Sequence, residues 1–217
     1  EIFGEKPYFR PSTLYRMARS KAYLFAGVEI RWRCDPALLA NDDPVPAEAV
    51  LHYPGGLSDY LNDATADTAL LVSTPFADLV ELDGQKFEWA ITWLGAGEDG
   101  FFHSYCNTVP TPSGGTHEAG FRQAITRALR SFGDLAGNRK AADITADDVF
   151  AGTAVMLSVF LRDPQFQGQT KDRLVSADAT RQTEQAARDR FEQWLAADAA
   201  RANFLLDAAI ERAEERK

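Results

Sequence analysis

The sequence predicts an α+β fold: a mixed sheet with helices on one face, followed by C-terminal helices. Three observations carry this. Alternating apolar segments fill much of the first half, a strand–helix–strand unit occupies the middle, and two long helical segments close the chain. At 217 residues the chain is long enough for one large domain, or one domain plus a fragment of another.

The elements follow in order. Leu14, Met17, Ala18, Ala22 and Phe25 recur at helical spacing and predict a helix over 12–25, with Ser12 as N-cap and Gly27 as stop. Val28-Glu29-Ile30-Arg31-Trp32-Arg33 alternates as a strand. Residues 35–46 hold three prolines and several acids and read as a domain boundary. A short helix covers about 57–61. Two strands follow within 76–94, joined by Asp83-Gly84, a strong hairpin signal. In the second, Phe87, Trp89, Ile91 and Trp93 share a face and Glu88 and Thr92 take the other, as a half-buried strand requires. A third strand runs from about Phe101 to Val109.

Gly114-Gly115-Thr116-His117 opens a helix to about Phe132. Thr116 is its expected cap, Glu118 suits the positive end of its dipole, and Phe121, Ile125, Ala128, Leu129 and Phe132 form its buried stripe. Thr145 caps a short helix over 145–150. Residues 152–161 are apolar nearly throughout, the pattern of a strand covered on both faces. Two helices, 177–197 and 199–215, end the chain. Their expected packing residues are Phe191, Trp194, Leu195, Leu205, Ala208 and Ala209.

Composition narrows the function. A formal charge of −9 excludes a free-standing nucleic-acid coat, yet permits a local basic strip. Two cysteines, Cys34 and Cys106, make no disulfide framework and suit a reducing cytosol. His52, His103 and His117 lack metal-ligand spacing, so no metal site is expected. No apolar run is long enough for a membrane span. The start, Glu1-Ile2-Phe3, reads as the cut edge of a longer protein.

Gly95-Ala96-Gly97-Glu98-Asp99-Gly100 spells G-x-G-x-x-G. A dinucleotide site needs a helix after the glycines, whereas an aromatic strand follows here, and two acids would repel phosphate. It reads as a strand-to-strand turn. Gly114-Gly115 either exposes amides to an anion or simply permits a tight start to the helix. Arg122 lies at the edge of the buried stripe, with Arg127 and Arg130 projecting away. They form either a solvated face or a basic strip for nucleic acid. Finally, Asp163-Pro164-Gln165-Phe166-Gln167-Gly168-Gln169-Thr170-Lys171 makes a polar loop directly after an apolar strand. It is either an ordinary loop or a tether that carries an ammonium to a phosphate bound elsewhere; a lone Lys lacks a supporting nest of amides.

Two blocks, Gly114-Gly115-Thr116-His117-Glu118-Ala119-Gly120-Phe121-Arg122 and Asp163-Pro164-Gln165-Phe166 with Gln169-Thr170-Lys171, together resemble the transducer domain of the B subunits of type IIA DNA topoisomerases. The resemblance covers essentially the whole chain. Tyr105-Cys106-Asn107-Thr108-Val109-Pro110-Thr111-Pro112, Ile144-Thr145-Ala146-Asp147-Asp148-Val149 and Ile210-Glu211-Arg212-Ala213-Glu214-Glu215-Arg216 lean toward the topoisomerase IV (ParE-type) branch, with the gyrase branch second.

The resemblance implies a transducer with a ribosomal-S5-domain-2-like fold over 34–217, and, over 1–33, the C-terminal remnant of a GHKL ATPase domain. It implies that Gln169 and Lys171 reach the γ-phosphate of ATP, with Lys171 in a catalytic role. ATP and magnesium are held mainly by the missing ATPase domain, so no cofactor and no turnover are expected on this fragment alone. Arg122, and with it Arg127, is expected to face a cavity for double-stranded DNA. Implied partners are a topoisomerase A-type subunit, in a heterotetramer of two A and two B subunits, and the second B subunit, in the bacterial cytoplasm. The competing reading is a non-catalytic partner-binding module of the GHKL superfamily.

Overall fold

The computed structural model describes residues 9–39 and 44–217. Glu1-Ile2-Phe3 and residues 40–43 of the proline-rich loop lie outside the described residues. Two compact units, Glu1–Asp63 and Ala64–Lys217, divide the chain.

In the first unit, helix α1 spans Pro11–Leu24. Its N-cap is Arg10 with Pro11 at the first helical position, so Ser12 is not the cap. Proline's fixed φ and missing N–H suit that position. Strand β1, Glu29–Arg33, pairs antiparallel with β2, Glu48–His52, in the register Glu29↔His52 to Arg33↔Glu48. This second strand was not expected. It belongs to the compact unit that ends at Asp63. Helix α2, Leu57–Ala64, buries Leu57 and Leu61. Tyr23, Tyr53 and Tyr60 cluster with Arg19, whose Nε donates to the Tyr53 hydroxyl at 2.9 Å and whose guanidinium lies 4.9 Å from the Tyr60 ring centroid.

The second unit is built on five strands: β3 (Phe76–Leu82), β4 (Gln85–Trp93), β5 (Phe101–Cys106), β6 (Val109–Pro110) and β7 (Thr153–Phe160), in the order β3-β4-β7-β5-β6. The β5–β7 pair is parallel and the other pairs are antiparallel, so the sheet is mixed as expected. Asp83 and Gly84 both take positive φ, 52° and 70°, as a two-residue primed hairpin turn requires. Asn107 and Thr108 do the same between β5 and β6, at 49° and 66°. The expected single strand to Val109 is therefore a hairpin. The Gly95–Gly100 segment runs from β4 toward β5, and no helix follows it.

One expectation for β4 fails. Glu88 and Thr92 are only 8% and 0% exposed, so the strand is covered on both faces. It lies between β3 and β7, and Glu88 pairs with Lys86 at 3.4 Å, which keeps the buried carboxylate partnered.

Helices α3 (Thr116–Leu135) and α5 (Ala177–Ala196) pack on the sheet face that carries Phe87, Trp89, Ile91, Val155 and Leu157. Phe76, Trp93, Phe191 and Trp194 stack into one aromatic cluster. Phe76, Trp93 and Phe191, each buried, contribute roughly 2–3 kcal/mol apiece before the entropy of ordering them is counted. The two helices approach closely at Gly120, where a Cβ would lie 2.2 Å from the Thr180 carbonyl oxygen. Helix α4, Ala146–Phe150, begins in a capping box of Thr145 and Asp148, as its sequence predicts. Helix α6, Ala199–Glu215, is capped by Asp198 and fastened at its far end by Arg216, which bonds both carboxylate oxygens of Asp148 at 3.1 and 2.9 Å. The Arg216 hydrogen bond is the main reason the Asp148 carboxyl sits low, at about 2.

Candidate functional site

The loop between β7 and α5 narrows to a tip. Phe166 and Leu174 form an antiparallel bridge at its base. Gln167 N–H donates to the Arg173 carbonyl at 2.9 Å and Val175 N–H to that of Gln165 at 2.8 Å. Beyond this neck Gln167, Gly168, Gln169, Thr170 and Lys171 are all exposed. Lys171 sits at φ 60°, a left-handed conformation uncommon for a residue with a side chain. Its Nζ lies 5.7 Å from the Phe166 ring centroid, and no carboxylate among the described residues is within ion-pair distance of it. Strain of this kind, of order 1 kcal/mol, gathers at working tips when the surrounding backbone enforces it.

Here the enforcing backbone is the other sequence block. Leu174 N–H donates to the Gly114 carbonyl at 3.2 Å, and Thr116 N–H donates to the Leu174 carbonyl at 3.0 Å. Ser113 N–H bonds the Asp172 carbonyl at 3.0 Å, and the Arg173 guanidinium returns to the Ser113 carbonyl at 2.9 Å. The glycine block and the lysine loop, read separately in the sequence, are one hydrogen-bonded unit. Gly115 takes φ 141° and leaves no room for a side chain against Leu174. The glycines thus serve close approach of backbones. The Gly114 and Thr116 amides are spent within the unit, on the carbonyls of Thr111 and Leu174, rather than offered to an anion.

This approach also displaces the expected cap. Gly115, not Thr116, is the N-cap of α3, and the Thr116 hydroxyl is buried without a hydrogen-bond partner. Behind it His117 is fully buried. Its Nε2 lies 3.0 Å from Thr111 Oγ1, which is 2.7 Å from Ser104 Oγ, which can donate to the Thr111 carbonyl at 3.2 Å. A proton on Nε2 lets every donor in this chain find an acceptor. A proton on Nδ1 would be buried with no partner.

Burial pushes the His117 imidazole down to about 4. The fold therefore favours the neutral ring. That contribution is complete above the ordinary histidine value near 6.5 and fades as pH falls toward 4. Urea unfolding should show stability dropping across this window, with a shallower slope in His117→Gln.

The arginines of α3 are engaged rather than arrayed as a free strip. Arg122 Nε donates to Glu118 at 3.2 Å, and its guanidinium lies over the rings of Phe102 and Phe150, at 5.1 and 4.7 Å. Arg127 is ion-paired with Glu184. Arg130, expected to project into solvent, donates through Nε to the Ile144 carbonyl at 2.7 Å. The outermost of the three is Arg127, with its side chain 55% exposed.

Chemically, the tip offers an ammonium and a carboxamide on a base closed by backbone hydrogen bonds. Such a device can donate to an anion presented from outside. It cannot enclose one. Sequence reasoning found the tip and the glycines but missed the hydrogen bonds that join them.

The family described as DNA gyrase B matches residues 56–217. The B subunit of DNA topoisomerase 4 from Caulobacter vibrioides is 50% identical over all of this chain, which covers 32% of that relative. Its namesake from Bartonella bacilliformis is also 50% identical, again over the whole chain and 31% of the relative. The chain thus spans about a third of the length of these curated relatives. Among solved structures, the 43K ATPase domain of Thermus thermophilus gyrase B, in complex with an aminocoumarin, superposes with a TM-score of 0.79. It is 27% identical, and the match covers 99% of this chain and 56% of that one.

Proposed function

Because the chain belongs to the DNA gyrase B family, we propose that it is the transducer portion of the ATPase subunit of a bacterial type II topoisomerase, coupling ATP binding and hydrolysis to DNA strand passage. The topoisomerase 4 relatives, at 50% identity, favour decatenation and relaxation by topoisomerase IV over the gyrase alternative. The observation that carries the reading is the exposed pair Gln169 and Lys171 on a neck fixed by Phe166, Leu174 and Gly115.

In this reading both side chains donate to the γ-phosphate of an ATP held by the preceding ATPase domain. Lys171 balances the charge that spreads over the transferring phosphoryl group. The donor set fits a phosphate. It does not fit magnesium, which takes oxygen ligands, and among the described residues no cluster of His, Cys, Asp and Glu could hold a metal. Bound ATP would supply the phosphoryl group that is transferred to water, with ADP as the leaving group; this chain supplies the reach, the charge and a hydrogen-bonded base. A γ-phosphate that engages the tip favours one arrangement of the two domains, and its loss releases that arrangement. Arg122 and Arg127 are assigned to the wall of the cavity that passes double-stranded DNA. The partners are a topoisomerase A-type subunit and a second B subunit, in the bacterial cytoplasm.

The test is reconstitution. The full-length subunit with its A-type partner should unlink interlocked DNA circles only when ATP is supplied, while the 217-residue chain alone turns over no ATP. Unlinking without nucleotide, or turnover by the isolated chain, would refute the proposal.

A further inference from the structure

We infer that Asn107 is a positioning residue for the Lys171 tip; this rests on the phosphate-sensing reading of that tip. Three hydrogen bonds motivate it. Asn107 N–H donates to the Val159 carbonyl at 2.9 Å, Nδ2 donates to the Leu161 carbonyl at 3.0 Å, and Leu161 N–H donates to Oδ1 at 2.8 Å. The parallel β5–β7 ladder ends at Cys106↔Val159. Where the main chain turns away at φ 49°, the Asn107 side chain substitutes for backbone and carries the ladder on to Leu161. Leu161 is buried, so both of its polar groups need these partners.

Leu161 is the point where the loop departs, through Arg162 and Asp163, toward the neck bonds of Gln165 and Gln167 with the returning arm. The loop's other end is pinned at Leu174 by Gly114 and Gly115. Both anchors belong to one segment, 107–115. The Ser104–Thr111–His117 chain fastens that segment to β5 and α3. The hairpin turn and the glycine pair therefore hold the two ends of the tip from a single frame. A shift at Asn107 moves the departure point of the loop relative to its return, and an ammonium that must meet a phosphate oxygen tolerates little displacement.

Only asparagine meets all three demands at this position. It accepts a left-handed φ more readily than most residues, and its short amide places one donor and one acceptor in a single plane. Glycine satisfies the backbone and loses both side-chain bonds. Aspartate keeps the acceptor but sets an oxygen against the Leu161 carbonyl.

The experiment uses the full-length subunit and reads ATP turnover in steady-state and single-turnover assays, at temperatures where every variant is folded. Asn107→Gly is expected to lower kcat about tenfold while KM moves within about twofold, the signature of a mispositioned group rather than lost binding. Asn107→Asp should behave likewise, and hydrogen exchange at the Leu161 amide should accelerate in Asn107→Gly, which removes its acceptor. In a Lys171→Ala background, Asn107→Gly should cost nothing further, because its effect runs through the ammonium. Wild-type kcat in both Asn107 variants overturns the inference, as does an undiminished loss in the Lys171→Ala background. If Lys171→Ala itself turns over normally, the reading of the tip fails first and takes this inference with it.

Discussion

Lys171→Ala in the full-length subunit is expected to reduce ATP-dependent strand passage by about 10²–10³-fold, the range found when one preorganised donor to transition-state charge is removed. The prediction follows from isolation. Lys171 stands on an exposed tip with no carboxylate partner among the described residues, so its charge is not spent within the chain. Its neck is closed by backbone hydrogen bonds that do not involve the side chain, so removing the ammonium leaves the fold in place. Thermal unfolding should therefore be unchanged while turnover collapses. Gln169→Ala should show a smaller loss, since a carboxamide brings no net charge to balance the one that develops on the phosphoryl group. Wild-type strand passage in Lys171→Ala would remove the tip from the mechanism.

The second large effect is structural. Gly115→Ala would place a Cβ 2.3 Å from the carbonyl oxygen and 2.7 Å from the nitrogen of Leu174. Both are backbone atoms that cannot rotate aside, and φ 141° is itself closed to most side chains. The change should cost about 3–5 kcal/mol, the upper end for single substitutions, and lower Tm by roughly ten degrees in a domain of this size. It should also free the Leu174 end of the loop, so turnover falls even below the melting range. Gly137→Ala is the control: φ is 74° but nothing lies within 4 Å of the added carbon, so only about 1 kcal/mol of backbone strain is at stake. Equal stability for the two variants would show that the contact between the blocks is looser than described.

Why some of this was legible in the sequence, and some not, comes down to which interactions leave a local mark. Asp83-Gly84 announced its hairpin because both residues tolerate positive φ. Asn107-Thr108 forms the same kind of turn silently, because a β-branched threonine seldom sits at φ 66°. Strand β2 is short and lies between Pro46 and Pro54, so its flanks read as loop, and only its pairing with β1 makes it a strand. Pro11 displaced Ser12 as the start of α1 for a reason visible in the sequence, whereas Thr116 lost its capping role to a contact with Leu174 that no local pattern encodes.

The candidate site divides the same way. A glycine, a glutamine and a lysine after an apolar strand mark the tip. Its base is held by long-range backbone bonds among residues 113–116 and 172–174, and these carry no side-chain signal beyond two glycines. His117 is a buried polar link to Thr111, and burial is what lowers its basicity. The α3 arginines could not be sorted from sequence, because their partners Glu184, Ile144 and the rings of Phe102 and Phe150 come from other elements.

The most direct measurement is a structure of the full-length subunit in complex with a non-hydrolysable ATP analogue. The account predicts the Lys171 Nζ within about 3 Å of a γ-phosphate oxygen, the reach of a charge-assisted hydrogen bond, with the Gly115–Leu174 bridge unchanged. An ammonium left in solvent, remote from the terminal phosphate while the nucleotide pocket is occupied, would contradict it.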